Sequence, residues 1–215
     1  MRKPRLFLFT LCALFTFNMQ GQTTVYSCNG KYCLELPDIL ELQVSELNNI
    51  QCVNIPGKKP QTKIETQSGH IIFQQKGLND DVQSAYNNYC RVIVEYFKED
   101  RNDPTFATGD NIVIDKDVLY AVNETARQNC EISGTPLIKL ISVEGITING
   151  FPVLYYSYKR KGWEGKKPPV IVNVFRIFNR YESITLTFSY RESERETWKE
   201  IHNNIIKTFK FTKKY

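Results

Sequence analysis

A short basic segment that contains a tryptophan is the clearest candidate functional feature of this sequence. Residues 159–169 read Lys-Arg-Lys-Gly-Trp-Glu-Gly-Lys-Lys-Pro-Pro, so five cationic side chains flank one indole ring. The candidate binding residues are Lys159, Arg160, Lys161, Trp163, Lys166 and Lys167. A tryptophan among lysines can anchor to an anionic membrane surface, stack on a glycan ring or act as a hot spot for a partner protein. The alternative is that Trp163 folds back onto a helix while the lysines only maintain solubility.

Two histidines give the sequence few options for catalysis. His70 flanks a predicted hairpin, and His202 lies in the predicted closing helix, where we expect it to be exposed or half-buried. The sequence has no Gly-x-Ser-x-Gly motif and no cysteine next to a histidine, although a triad assembled in space remains an alternative. Acidic pairs such as Asp80 and Asp81 lie at predicted helix starts, where carboxylates offset the helix dipole. We therefore predict no catalytic residue, no metal and no cofactor.

The first 22 residues have the pattern of a secretory signal peptide. Three basic residues precede an apolar stretch from Leu6 to Phe17, which at about 12 residues is too short to span a bilayer. We predict export to the periplasm or the extracellular space, which leaves residues 23–215 as a single domain. The whole chain has a net charge of +5, but without the three basic residues of the leader this falls to +2. Such a small excess argues against nucleic acid as a partner.

Five cysteines remain after the leader, and an oxidising compartment permits disulfides between them. The preferred pairs are Cys28 with Cys33, and Cys90 with Cys130, because the last two lie on apolar stripes of predicted helices. Buried free thiols are the alternative for the second pair. A zinc site is not predicted, because the first pair has no second pair of ligands at a suitable spacing.

A predicted β-meander, Ile146–Tyr190, places the basic segment between two strands. Asn149 and Gly150 separate two apolar runs, which is the pattern of a type I′ hairpin turn. Residues 170–178 are apolar on both faces, which predicts a strand in the middle of a sheet. The two nearest apolar residues on each side of Gly145 stand at odd-numbered positions before it and at even-numbered positions after it. A glycine at such a shift predicts a β-bulge.

Helices are predicted on three segments that carry apolar stripes. The stripe of the first consists of Val82, Tyr86, Tyr89, Ile93 and Tyr96. The second covers Lys116 to Cys130, with Asp115 as its N-terminal cap. The third follows a capping box formed by Ser193 and Glu196.

Shorter signals predict further strands. Residues 63–66 and 70–74 are predicted to form a hairpin, and residues 137–143 form either the first strand of the meander or a short helix. Together the elements predict an α+β fold, in which an antiparallel sheet of about six strands has helices packed on both faces.

The hairpin at residues 146–153, the two long strands after it, the closing helix and a final Phe-x-Phe resemble the PsbP-like fold. The resemblance covers roughly residues 137–211. It implies an antiparallel sheet with helices on both faces, and a role as an extrinsic subunit or protein-binding adaptor rather than an enzyme. No functional residue of that fold matches a position in this sequence.

The sequence therefore favours a secreted, non-enzymatic binding or accessory domain of the cell envelope. Its expected partner is an envelope protein, a glycan or an anionic membrane surface. The first alternative is a secreted hydrolase with an unrecognised site. The second is a small-ligand carrier, which requires a pocket between sheet and helix. Tyr155, Tyr156 and Tyr158 form a second candidate feature. Adjacent tyrosines in a strand point to opposite faces, so one face can line a groove, with ordinary sheet packing as the other interpretation.

Overall fold

The structure is a computed structural model that describes residues 23–28, 31–43, 50–54, 62–66, 69–103, 105–165 and 167–213. Residues 23–28, 50–54, 62–66 and 164 are described by their backbone alone. The predicted signal peptide, residues 1–22, lies outside these ranges and stays a prediction. None of the described helices is both long and apolar enough to cross a membrane.

The described residues form two α-helices and twelve strands. In chain order these are β1 (Thr23–Cys28), β2 (Tyr32–Pro37), β3 (Leu40–Leu42), β4 (Ile50–Asn54), β5 (Thr62–Thr66), β6 (His70–Gln75), β7 (Cys90–Lys98), α1 (Lys116–Ile132), β8 (Leu137–Ile148), β9 (Phe151–Arg160), β10 (Val170–Phe178), β11 (Glu182–Arg191), α2 (Arg195–Thr208) and β12 (Lys210–Phe211). Short 3-10 helices occupy Gln83–Asn87, Trp163–Gly165 and Glu192–Glu194.

The strands form two sheets, which confirms the mixed α+β class. The larger is an antiparallel sheet of seven strands in the order β3-β6-β7-β11-β10-β9-β8. The smaller has the order β12-β2-β1-β5-β4, with β1 and β5 parallel. The predicted hairpin of residues 63–66 and 70–74 is wrong, because β5 pairs within the smaller sheet while β6 pairs with β3 and β7 in the larger one.

The predicted meander is confirmed as the four strands β8 to β11. Asn149 and Gly150 both have positive φ, 54° and 87°, as a type I′ turn requires. The strand β10 lies between β9 and β11, and Val174 stands opposite Tyr156 on one side and Thr187 on the other. The basic segment therefore joins two paired strands, β9 and β10, and the pairing of Arg160 with Val170 holds its two ends together.

The predicted helix across Val82 to Tyr96 is wrong, because a 3-10 turn and the strand β7 replace it. The run Val92-Ile93-Val94 is β-branched, and such side chains favour extended backbone. Val92 and Val94 are fully buried whereas Ile93 is only partly so, a period of two. Pairing with β6 on one side and β11 on the other outweighs the helical spacing of the aromatic residues.

The buried side chains form two clusters. One contains residues of both sheets and of α2, including Leu34, Val92, Phe188 and Trp198. The other joins Val122, Ala126 and Cys130 of α1 to side chains of β9 and β10. Alternation along the strands separates the clusters, because successive side chains point to opposite sides of a sheet.

The caps of the two helices differ from each other. The carboxylate of Asp115 accepts a hydrogen bond from the backbone N–H of Val118 at 2.8 Å, so the predicted cap of α1 is confirmed. The predicted capping box at Ser193 is wrong, because a 3-10 turn occupies Ser193 and α2 begins at Arg195 without a side-chain cap. The Glu194 carboxylate instead accepts from the backbone N–H of Tyr89 and from the Trp198 indole.

Gly145 lies in β8 at a close approach of another segment. The predicted bulge there is wrong, since Gly145 pairs regularly with Leu154 and the register shifts lie nearer the start of the strand. A Cβ atom at Gly145 would stand 2.1 Å from the carbonyl oxygen of Ile112. The glycine therefore makes room for the segment that leads into α1.

We expect Gly145→Ala to lower the free energy of unfolding by about 1–3 kcal/mol, because the added methyl group must displace backbone rather than a flexible side chain. Urea denaturation measures this. The control is Glu144→Ala, an exposed neighbour in the same strand, which should change stability by at most about 0.5 kcal/mol. Equal stability of the Gly145→Ala variant and the wild type would show that the Ile112 segment can move away at no cost in free energy.

Candidate functional site

The tryptophan of the basic segment projects into solvent. Trp163 opens the 3-10 turn Trp163–Gly165, which is closed by a hydrogen bond from the N–H of Gly165 to the carbonyl of Gly162 at 2.9 Å. A Cβ at Gly162 would stand 2.4 Å from the carbonyl oxygen of Lys167, so only glycine fits where the two halves of the loop meet. Trp163 is 64% exposed, and the alternative in which its ring folds back onto a helix is therefore wrong.

Beside this ring lies a cavity of about 400 Å³, which we call the tryptophan cleft. The loop, the first residue of β10, the last residue of β11, the start of β7 and the turn after α1 all contribute to it. Its lining residues are Tyr89, Arg91, Ser133, Thr135, Arg160, Gly162, Trp163, Lys167, Pro168, Val170 and Arg191. The cleft thus combines an apolar wall with four cationic side chains.

Most of the positive charge in the tryptophan cleft is not neutralised. The guanidinium of Arg160 donates to the Tyr89 hydroxyl and to the carbonyl of Lys161, both at 3.2 Å. Arg191 donates to the carbonyl of Asn87 at 2.5 Å and lies 3.6 Å from the Glu194 carboxylate. Within the described part of the chain, this is the one ion pair formed by a lining residue of the cleft. The site is therefore suited to an anionic group.

Three of the six predicted binding residues lie together among the described residues. Arg160, Trp163 and Lys167 line the tryptophan cleft. Lys161 is exposed, and its backbone N–H donates to the carbonyl of Pro136. Lys159 points away, because neighbours in a strand face opposite sides, and it forms an ion pair of 2.6 Å with Glu192. The predicted residue at position 166 lies outside the described residues.

Among the members of the tryptophan cleft that sequence reasoning missed, three have large polar side chains, namely Tyr89, Arg91 and Arg191. Two of them flank the start of β7, which was predicted as a helix, and the third ends β11. The alternation of β-branched residues after Cys90 is the signal that would have placed Arg91 on a strand.

The predicted disulfide between Cys90 and Cys130 is wrong, since both thiols are free. Cys90 belongs to the cluster that contains α2, and Cys130 belongs to the cluster that contains α1. Both residues are buried, as the free-thiol alternative predicts. The predicted bridge from Cys28 to Cys33 involves a side chain outside the described residues and stays a prediction.

His202 is buried, with 3% of its surface exposed, so the expectation of an exposed or half-buried residue is wrong. Its ring packs against Phe188 at 4.4 Å between centroids, and its Nε2 atom lies 3.4 Å from the Cys90 sulfur. Burial raises the pKa of the Cys90 thiol, with a further contribution from the charge of Glu194. Burial lowers the pKa of His202 to about 3. Both shifts favour the neutral form of each group, which is the opposite of the lowered thiol pKa that nucleophilic cysteines have.

His70 lies at the start of β6 and is exposed, with its Nδ1 atom 3.6 Å from a carboxylate oxygen of Glu95. Among the described residues, no three side chains of His, Cys, Asp or Glu lie together as a possible metal site.

A second cavity, of about 360 Å³, lies between the sheet and α2, and we call it the α2 cleft. Its lining includes Tyr155 of β9, Asn173 of β10 and Tyr190 of β11. The Tyr155 hydroxyl donates to the Asn173 side-chain carbonyl at 3.1 Å, and the Asn173 amide donates to the Tyr190 hydroxyl at 3.3 Å. Tyr155 thus lines a groove, as one of the two sequence interpretations predicts. Tyr156 and Tyr158 pack in the α1 cluster and also line a cavity of about 290 Å³ on that face of the sheet.

Comparison with known proteins gives similarity in structure only. No protein-family model matches the chain, and no match is found among curated proteins. The chain is similar to the solution structure of cyanobacterial PsbP from Synechocystis, with 15% identity, 85% of this chain and 88% of that one covered, and a TM-score of 0.46. The predicted resemblance to the PsbP-like fold is thereby confirmed as a weak likeness in fold.

Two further structures are similar to a comparable degree. The Ran-binding protein Mog1p of Saccharomyces cerevisiae matches with 10% identity, a TM-score of 0.45, and coverage of 86% of this chain and 92% of that one. A crystal structure from Bacteroides thetaiotaomicron matches with 12% identity and a TM-score of 0.45 over 90% of this chain. The chain spans about half the length of that structure, 49%.

Proposed function

We propose that the chain is an exported, non-enzymatic binding domain of the cell envelope, and that it captures an acidic segment of a partner protein in the tryptophan cleft. The observation that carries this proposal is the 64% exposure of Trp163 beside four cationic side chains, of which only Arg191 has a carboxylate partner among the described residues. Two further expectations belong to it. Residues 1–22 direct export, and α1 and α2 cover opposite faces of the larger sheet, which their membership of separate clusters supports.

The shape of the tryptophan cleft favours a protein segment over the other partners. Arg91, Arg160 and Arg191 line a concave space, where an acidic side chain can enter and a flat membrane surface cannot follow. Val170 and Pro168 provide an apolar wall next to the indole. Tryptophan and arginine are the residues that most often form hot spots of protein interfaces.

The proposal is tested by selecting peptides from a random library on residues 23–215. We expect the selected peptides to carry Asp or Glu around an apolar residue, because such peptides match the charge and the wall of the tryptophan cleft. We expect Trp163→Ala to weaken the binding of a selected peptide about 30-fold, the effect of a hot-spot residue, as measured by fluorescence anisotropy. Arg160→Ala should weaken it about tenfold or more.

The matched control is Tyr120→Ala, which removes another exposed aromatic ring, on α1 and away from the cleft. It should leave the affinity unchanged. Selected peptides without acidic residues, or an affinity that Trp163→Ala does not change, would contradict the proposal. Binding to vesicles of phosphatidylglycerol or to immobilised glycans that requires Trp163 would transfer the surface to a different class of partner, and would likewise overturn it.

A further inference from the structure

The α2 cleft, described above between the sheet and α2, has the construction of a ligand site. We infer that it binds a small organic carboxylate with a hydrocarbon or aromatic body, independently of the tryptophan cleft. At about 360 Å³ it falls within the range of small-molecule sites, which is about 300–1,000 Å³.

The floor of the α2 cleft is held rigidly by paired strands. Asn173 stands opposite Ser157 on β9, and Ile171 stands opposite Tyr190 on β11. The hydrogen bonds that link Tyr155, Asn173 and Tyr190 fix three polar groups in a row across these strands. A ligand therefore meets donors and acceptors whose positions are already set, which reduces the entropy lost on binding.

The walls of the α2 cleft supply apolar contact. Ile171 and Phe175 line it, and the Phe175 ring lies 4.8 Å from the ring of Tyr155 between centroids. Ile141, on the edge strand β8, also lines the cleft and is half exposed. A hydrocarbon or aromatic body would cover these surfaces, whereas an inorganic anion would leave them in contact with water.

The rim of the α2 cleft carries an excess of positive charge. Lys139, Arg195 and Lys199 line it, and among the described residues none of the three forms an ion pair. Lys159 is neutralised by Glu192 at 2.6 Å. Three cations from β8 and α2 therefore border one space without an ion-pair partner among the described residues, and a carboxylate group complements them.

His202, of which 3% is exposed, forms the inner end of the α2 cleft. The Cys90 thiol stays protonated because it is buried, so it can donate to Nε2 of His202. In the tautomer in which Nε2 accepts from this thiol, the imidazole hydrogen is on Nδ1, which is buried and has no hydrogen-bond partner among the described residues. Buried polar atoms are rarely left unpaired, and an acceptor on a bound molecule would satisfy this one.

The experiment uses Trp198, whose ring lies 6.0 Å from that of His202, as the reporter. The chain contains two tryptophans, so Trp163→Phe leaves Trp198 as the single tryptophan, which can be excited selectively, and also weakens the other cleft. In this background we expect decanoate to change the fluorescence of Trp198 in a saturable manner. Decan-1-ol, which has the same hydrocarbon chain without the charge, should require at least about tenfold higher concentration.

Two variants distinguish the cleft from non-specific binding. Replacing both Arg195 and Lys199 by alanine should raise the half-saturating concentration of decanoate about tenfold or more. Lys207→Ala removes an exposed cation from the same helix outside the cleft and should change it less than about twofold. Asn173→Leu, which removes the central polar group of the floor, should also weaken binding.

Three outcomes would overturn the inference. The first is an equal half-saturating concentration for decanoate and decan-1-ol. The second is an equal rise in the half-saturating concentration of decanoate in the Lys207 variant and in the double variant. The third is displacement of decanoate by inorganic phosphate at equal concentration, which would show a site for simple anions. Because the reporter background lacks Trp163, none of these results depends on the proposed capture of an acidic segment.

Discussion

Acidification below about pH 6.5 is expected to destabilise the fold, and His202 is the expected cause. In the unfolded chain this histidine has an ordinary pKa of 6.5, whereas burial lowers the pKa in the folded protein to about 3. Between these values the unfolded state binds more protons, so the free energy of unfolding falls as the pH falls. The slope reaches about 1.4 kcal/mol per pH unit, and the whole window corresponds to a loss on the order of 4–5 kcal/mol.

The surroundings of His202 explain why its protonated form is excluded. Phe188 and Trp198 contact the ring, and the Cys90 thiol and Tyr190 hydroxyl beside it are uncharged. Glu194 lies nearby but is already engaged by the Trp198 indole at 3.0 Å. Arg195 and Lys199 on the same helix line the same cleft and oppose a further positive charge.

The measurement is urea denaturation at about pH 7 and about pH 4. We expect His202→Phe, which keeps a ring of similar size, to lose much less stability between these two values than the wild type does. Asn204→Ala is the control, because that exposed neighbour on α2 has no titratable group and its replacement should leave the acid dependence unchanged. An acid dependence that is the same in all three proteins would show that carboxylates alone cause it.

The second large effect is expected for Phe209→Ala, which should lower the free energy of unfolding by about 3–5 kcal/mol. Phe209 is fully buried, and its ring lies 6.2 Å from Tyr32 and 5.1 Å from Phe211 between centroids. Tyr32 belongs to the smaller sheet, so Phe209 fills the interior between that sheet and the rest of the chain. The cavity left by alanine would remove these contacts from both sides.

Chemical denaturation followed by near-ultraviolet circular dichroism measures this loss. Phe209→Leu is the matched control, because it keeps most of the buried volume and should cost less than about 1.5 kcal/mol. The Asn149 side chain donates to the Phe209 carbonyl at 2.7 Å, and neither variant removes that bond. A loss below about 1 kcal/mol in the alanine variant would mean that the smaller sheet closes onto the cavity.

The parts of the fold that depend on local pattern could be predicted from the sequence. The Asn149 and Gly150 turn, the apolar run of β10 and the cap at Asp115 each rest on residues that are close together in the chain. Turn chemistry, apolar period and capping all act over a few residues, and so they leave a readable signal.

The parts that depend on tertiary pairing could not be predicted. The segment that contains β7 has aromatic residues at helical spacing and β-branched residues between them, and contact with β6 and β11 decides in favour of the strand. The strands β5 and β6 have hairpin spacing but pair in different sheets. His202 follows Trp198 by four residues and so lies on the buried face of α2, but its polar ring led to the prediction of an exposed or half-buried residue, whereas it packs against Phe188 in the interior.

The part of the candidate site that is continuous in sequence could be predicted, and the part that is assembled from distant strands could not. Trp163 and the cations near it in sequence form a recognisable segment, and the structure leaves the indole exposed. Arg91 and Arg191 reach the tryptophan cleft from strands that are distant in sequence, so no spacing rule links them to Trp163. The α2 cleft likewise combines side chains of four strands and one helix.

The two register shifts near the start of β8 have a consequence for self-association. This strand is the last in the larger sheet, and Ile138 and Ile141 are exposed along it. A long, regular and apolar outer strand offers free N–H and C=O groups that a second copy can pair with, which leads to aggregation. The irregular pairing at Leu137–Lys139 and Leu140–Ser142, together with the charge of Lys139, interrupts that template. At the opposite edge, the described strand β3 has only three residues, Leu40–Leu42, and so offers little backbone for a second copy to pair with.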